Sequence, residues 1–121
     1  MTTILVVDDS RLARDMVSSA IASLQPGWTI LTAVSGDDAL SKLEGVAEAP
    51  VAAVVDYNMP GMDGLTLANH LRERFPGMPI GILTANVQDA LRKKAEALGC
   101  RFLPKPITSD KIRNFLSDSG V

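Results

Sequence analysis

Five short apolar runs, each followed by a stretch of helical periodicity, limit what this 121-residue chain can fold into more than any other feature. The runs are TILVV at 3–7, WTILTAV at 28–34, VAAVV at 51–55, IGILT at 80–84 and RFL at 101–103. After the first, Leu12, Met16, Val17, Ala20, Ile21 and Leu24 recur at the spacing of one helix face, and Pro26-Gly27 ends the pattern. A short helix is predicted over 38–44, with Gly45 and Pro50 in the loop after it. Leu65, Ala68 and Leu71 share a face of the next helix, which Pro76-Gly77 breaks. A fourth ends in EALGC, with Gly99 at the left-handed position that commonly closes a helix. TSDKIRNFL forms the last, with Thr108 or Ser109 as its N-cap. Strands alternating with helices predict an α/β domain with a parallel sheet and right-handed crossovers. The first, third and fourth runs are almost wholly apolar, as strands covered by helices on both faces are. The second and fifth carry more polar residues and are expected at the edges.

A single domain of this length buries roughly two thirds of the surface its unfolded chain exposes. Hydrophobic residues make up 46% of the chain and aromatics only 4%, so the core must be built mainly from Val, Ile, Leu and Ala. The net charge is −2 and no basic run occurs, so direct contact with nucleic acid is not expected. Cys100 stands alone, which rules out an internal disulfide, and no spacing fits a zinc site. The longest strongly apolar run, 51–55, falls far short of the ~20 residues of a membrane helix. The first residues lack the charged and apolar regions of a secretory signal. A soluble, cytoplasmic domain without membrane insertion is the expectation, and nothing marks a linker within 1–121.

The polar residues matter once they are placed on this frame. Asp8 and Asp9 follow the first strand, Asp56 the third and Lys105 the fifth, while Thr84 ends the fourth. In a parallel sheet all of these lie at the carboxyl edge, where open α/β folds bind ligands. An Asp after a strand is commonly a turn or N-cap residue, and a single loop Lys is commonly a solvated charge. Convergence of three acids, a hydroxyl and an ammonium on one crevice is harder to dismiss. Two unit charges ~4 Å apart repel by about 4 kcal/mol at an effective dielectric near 20. A group of acids at such a place calls for a cation.

Together VVDDS, VVDYNMPGMDGL, LTA and LPKPI resemble the receiver domain of two-component response regulators, with the small single-domain chemotaxis regulators as the comparison. The resemblance spans essentially the whole chain. It implies a flavodoxin-like, doubly wound, five-stranded parallel sheet of order 2-1-3-4-5 with helices on both faces. It makes Asp56 the phosphoacceptor, assigns Mg²⁺ to Asp8, Asp9, Asp56 and the backbone carbonyl of Asn58, and gives the phosphoryl oxygens to Thr84 and Lys105. Asn58 and Asn86 fall where the family flanks the path of attacking water and tunes phosphoryl lifetime. Phe102 matches the family's aromatic switch, coupled to Thr84 and expected to turn inward on phosphorylation. Lys105-Pro106 would be cis, as in the family. The implied donor is a sensor histidine kinase or a phosphotransfer protein, and the output is a protein target on the face of helix 4, strand 5 and helix 5. The chemistry agrees: Mg²⁺ is a hard cation usually held by carboxylates and phosphate oxygens, and a carboxylate can form an aspartyl phosphate. No separate turnover substrate is expected.

Other readings remain to be weighed. A Mg²⁺-dependent phosphohydrolase with an Asp nucleophile usually carries Asp-x-Asp after the first strand, whereas here the acids are adjacent and the nucleophile follows the third. A degenerate receiver serving only as an interaction module would not need the intact acids, Thr and Lys. Flavin binding is disfavoured because Asp8-Asp9 would repel a cofactor phosphate. The short final helix fits either a free-standing regulator or a receiver cut from a longer one. MPGM reads as a type II turn with Pro60 at its second position and Gly61 at positive φ. His70 is expected on the surface, and Trp28 and Cys100 in packing roles.

Overall fold

The computed structural model describes residues 2–121. Its strands are β1 (Thr3–Val7), β2 (Thr29–Ala33), β3 (Ala52–Asp56), β4 (Ile80–Thr84) and β5 (Arg101–Pro104). The helices between and after them are α1 (Arg11–Leu24), α2 (Gly36–Leu43), α3 (Gly64–Arg74), α4 (Asp89–Ala97) and α5 (Ser109–Asp118). All strand pairs are parallel and the order is β2-β1-β3-β4-β5, with β2 and β5 at the edges.

Alternation along the strands divides the core into two layers, one on each face of the sheet. Ile4, Val6, Val54 and Leu83 pack with Val17 and Ile21 of α1 and with Ile112, Phe115 and Leu116 of α5. Leu5, Val7, Val55 and Ile82 face the other way, against Leu43 of α2, Leu67 and Leu71 of α3, and Leu91 of α4. Trp28 precedes β2 at the amino edge and packs against the first of these layers, while Cys100 is buried in the second and His70 is exposed. Among the described residues no helix is long and apolar enough to cross a membrane.

The structure corrects the sequence reading in places. Leu12 and Met16 extend the apolar stripe of α1 in sequence but are 72% and 49% exposed, because the sheet and α5 cover only the Val17–Ile21 side. β3 runs one residue further than its apolar run, so Asp56 is the last strand residue rather than the first loop residue. α2 begins at Gly36, since Ser35 accepts from Asp38 N and caps it earlier than its apolar spacing indicates. Of the two cap residues expected for α5, Thr108 is the one that caps it, accepting from Lys111 N at 3.2 Å.

Two glycines shape the chain between β3 and α3. Gly61 takes φ +77°, as the predicted turn requires. Gly64 opens α3 against the end of β3: its N–H donates to Tyr57 O at 3.0 Å, and a Cβ there would lie 2.4 Å from Asp56 O. No side-chain rotation relieves a clash with backbone. Gly64→Ala is therefore expected to destabilise the fold by about 2 kcal/mol, within the usual range for overpacking. A denaturation midpoint equal to that of the wild type would contradict this.

Candidate functional site

Backbone hydrogen bonds to neighbouring strands hold the chain at Asp8, just after Asp56 and at Lys105. Asp8 N donates to Ala33 O at 3.1 Å, Tyr57 N to Leu83 O at 2.8 Å, and Lys105 N to Thr84 O at 2.8 Å. Asp8 is 1% exposed; its Oδ1 accepts from Ser10 N at 2.9 Å, and its carbonyl accepts from Arg14 Nη1 at 2.9 Å. Ser10 also caps α1 by accepting from Ala13 N. Asp56 is 3% exposed, with Oδ1 2.9 Å from Lys105 Nζ. Asp9 is exposed, yet carboxylate oxygens of Asp8, Asp9 and Asp56 all lie within 4.8 Å of one another. The structure thus brings together three acids and one lysine.

Burial is the main force on the two inner acids. It raises the pKa of Asp8, with the Ser10 amide opposing it and the Asp56 charge adding to it. It raises Asp56 as well, and the Lys105 ammonium only partly offsets this. At Lys105 burial opposes the charge, but Asp56, Asp8 and Asp9 together outweigh it and hold the ammonium above its usual value. Asp8 Oδ2 is buried and finds no hydrogen-bond donor among the described residues. Such an oxygen costs free energy unless something meets it. An all-oxygen group of carboxylates around an unmet acceptor suits a hard divalent cation such as Mg²⁺.

The remaining candidates surround this centre. Thr84 is buried, and its Oγ1 accepts from Asn86 N at 2.9 Å, which leaves its O–H able to donate. Asn86 is half-buried, and its Oδ1 accepts from Gln88 N at 3.0 Å. Asn58 is exposed in the loop after β3. Lys105-Pro106 is cis. Phe102 is 7% exposed, packed in the layer that holds Ile82, Leu91 and Ala95, and Arg92 Cζ lies 4.5 Å above its ring. The ring expected to turn inward on phosphorylation is already inside. Sequence reasoning missed Arg14, Arg92 and Gly64. Only Gly64, closing the MPGMDG turn at the start of an apolar helix pattern, gave a signal that could have been read.

Comparison with known proteins matches residues 4–117 to the response regulator receiver domain. The probable transcriptional regulatory protein TcrX of Mycobacterium tuberculosis is 34% identical, over 98% of this chain and 51% of its own length. The sensor protein EvgS of Escherichia coli is also 34% identical, over 95% of this chain but 9% of its own. The chain thus spans about half or less of these curated relatives. Among solved structures, the chemotaxis protein CheY4 of Vibrio cholerae superposes with a TM-score of 0.86 at 28% identity, covering 98% of both chains. A probable two-component response regulator/GGDEF domain protein gives 0.86 at 27% identity, covering 98% of this chain and 49% of that one. With the strand order, the acid cluster and a match across nearly all of its length, this chain belongs to the response regulator receiver family of two-component signalling.

Proposed function

We propose that this receiver, a single unit over 1–121, is a cytoplasmic switch that takes a phosphoryl group onto Asp56 from a histidine kinase or phosphotransfer protein. The observation that carries the reading is the buried Asp56 carboxylate, 2.9 Å from Lys105 Nζ and beside two further acids. An Asp56 oxygen bonds to phosphorus as the phosphorus–nitrogen bond of the donor's phosphohistidine breaks. An ionised carboxylate needs no general base for this. Lys105 and the Thr84 hydroxyl receive the phosphoryl oxygens, replacing water with fixed donors. Asp8, Asp9, Asp56 and the Asn58 carbonyl would hold Mg²⁺, which when bound neutralises charge gathering on the phosphoryl oxygens. Asn58 and Asn86 flank the approach of water and set how long the group survives. The acids are adjacent after β1 and the acceptor ends β3, which favours a switch over a phosphohydrolase with a turnover substrate.

Two surfaces serve the switch. The exposed Met16 lines an apolar groove with Val17, Leu83, Ala85, Pro106 and Ile107 that reaches Lys105, and Leu12 is exposed one turn earlier on α1. A donor seated on this rim would bring its phosphohistidine to Asp56 with an apolar contact surface of its own. The downstream protein target meets the face of α4, β5 and α5, where Phe102 and Arg92 couple the ring to α4.

Magnesium at ~100 times its Kd should stabilise the fold by about 2.7 kcal/mol, a rise in Tm on the order of 5 °C. The pH dependence has a definite sign. Asp8 and Asp56 are raised in the folded state, so their stabilisation is complete below the ordinary carboxylate pKa and is lost as pH rises through their raised values. Once the pH exceeds those raised values the metal-free protein has lost it, and Asp8→Asn, which keeps an oxygen for Ser10 N, should then be more stable than the wild type. The same variant should lose most of its response to Mg²⁺. Melting curves with and without Mg²⁺ from acid to neutral pH check both statements; no Mg²⁺ effect in the wild type would exclude the cation.

Mass spectrometry of protein treated with acetyl phosphate should show one added phosphoryl group, absent in Asp56→Asn. Wild-type labelling of that variant would move the acceptor elsewhere. Leu12→Ser with Met16→Ser should slow transfer from a phosphorylated protein donor roughly tenfold, as loss of apolar contacts does. Labelling by acetyl phosphate, which needs no docking surface, should be unchanged.

A further inference from the structure

The chain reads Pro104-Lys105-Pro106 where β5 runs out toward α5. Proline has no backbone N–H, so Lys105 alone among these three can anchor the segment by a main-chain donor, and that donor goes to Thr84 O at 2.8 Å. The carbonyls on either side of Lys105 are met by a single group. Lys111 Nζ donates to Pro104 O at 2.8 Å and to Pro106 O at 2.8 Å. Lys111 lies in the first turn of α5, whose cap, Thr108, accepts from its N–H. Helix N-termini concentrate partial positive charge, so a cation there is disfavoured. The two carbonyls compensate the Lys111 ammonium at a place where the helix itself does not favour it.

We propose that Lys111 is a positioning residue for Lys105: by bridging the carbonyls that flank it, the Lys111 ammonium fixes the backbone from which Lys105 reaches Asp56. The proposal rests on the reading of Lys105 as a phosphoryl-binding group and adds a residue that acts only through it. A lysine head sits on a flexible stem, so its reach depends on where the stem begins. Lys105 Nζ lies 2.9 Å from Asp56 Oδ1, and a shift on the order of 1 Å in a supporting element is enough to impair such a site. Backbone contacts hold the segment on the β4 side through Thr84 O, and Lys111 holds it on the α5 side.

The test uses the whole chain with three substitutions. Lys111→Met removes the ammonium but keeps an unbranched stem, Lys111→Arg restores a cationic donor, and Lys105→Ala removes the group being positioned. Hydrogen exchange of the Lys105 amide, followed by NMR, should quicken roughly tenfold in Lys111→Met, stay near wild type in Lys111→Arg, and leave the amides of β4 unchanged. Labelling of Asp56 by acetyl phosphate at saturating Mg²⁺ should slow roughly tenfold in Lys111→Met and recover in Lys111→Arg. Added to Lys105→Ala, Lys111→Met should slow it no further, since the two act as one unit. A Lys105 amide exchanging at the wild-type rate in Lys111→Met overturns the proposal. So does a loss of labelling equally large with and without the Lys105 side chain. If the wild type takes up no phosphoryl group, the reading of Asp56 as acceptor fails, and amide exchange still decides whether Lys111 holds the segment.

Discussion

Like charges confined at the carboxyl edge of the sheet set the terms for the rest of this fold. Two of the three carboxylates are nearly inaccessible to water, and burial raises both their pKa values. Such a group persists only if its surroundings cannot relax away from it. The backbone supplies that rigidity by carrying the sheet's hydrogen bonds one residue beyond the strands. Asp8 N reaches β2, Tyr57 N reaches β4, and Lys105 N reaches β4 from the other side. The two buried acids and the lysine are thereby fixed by the same ladder that holds the core, and their mutual geometry follows from strand register rather than from loop conformation.

Much of this was legible in the sequence because two periodicities alternate along it. Short runs such as ILVV and AAVV are too apolar for one-sided strands, and their termination in Asp8 and Asp56 marks the edge where ligands bind. What the sequence hid was of two kinds. Leu12 and Met16 continue an apolar helix stripe, and nothing local says that the stripe is wider than the surface available to cover it. Arg14, Arg92 and Lys111 act across distances in the fold, by meeting a carbonyl or a ring, and a long flexible cation in a helix looks the same in sequence whether it is solvated or engaged. Asp56 illustrates a smaller loss: as a charged residue it seemed to follow β3, while its backbone pairs with Leu83 as the last residue of that strand.

The helices are not tied equally, and the least capped of them lies beside the site. Side chains of Ser10, Ser35, Asp63 and Thr108 cap α1, α2, α3 and α5, whereas α4 begins at Gln88 without a side-chain cap. The other end of α4 is clamped. Arg72 of α3 donates from Nε to Leu98 O at 2.8 Å and from Nη2 to Gly99 O at 2.9 Å, and it also meets the carbonyl of Met78 before β4. An uncapped first turn leaves backbone donors to water and opens at lower cost than a capped one. Asn86 links the two places: its amide donates to the Thr84 hydroxyl and its side chain accepts from Gln88 N, at the uncapped end of α4. One turn further along, Arg92 lies over Phe102, and that ring is packed on Ile82, two residues before Thr84. The uncapped end of α4 thus stands beside the strand that carries Thr84, with the Phe102 ring between Arg92 and that strand, while the Arg72 contacts hold the opposite end of the helix.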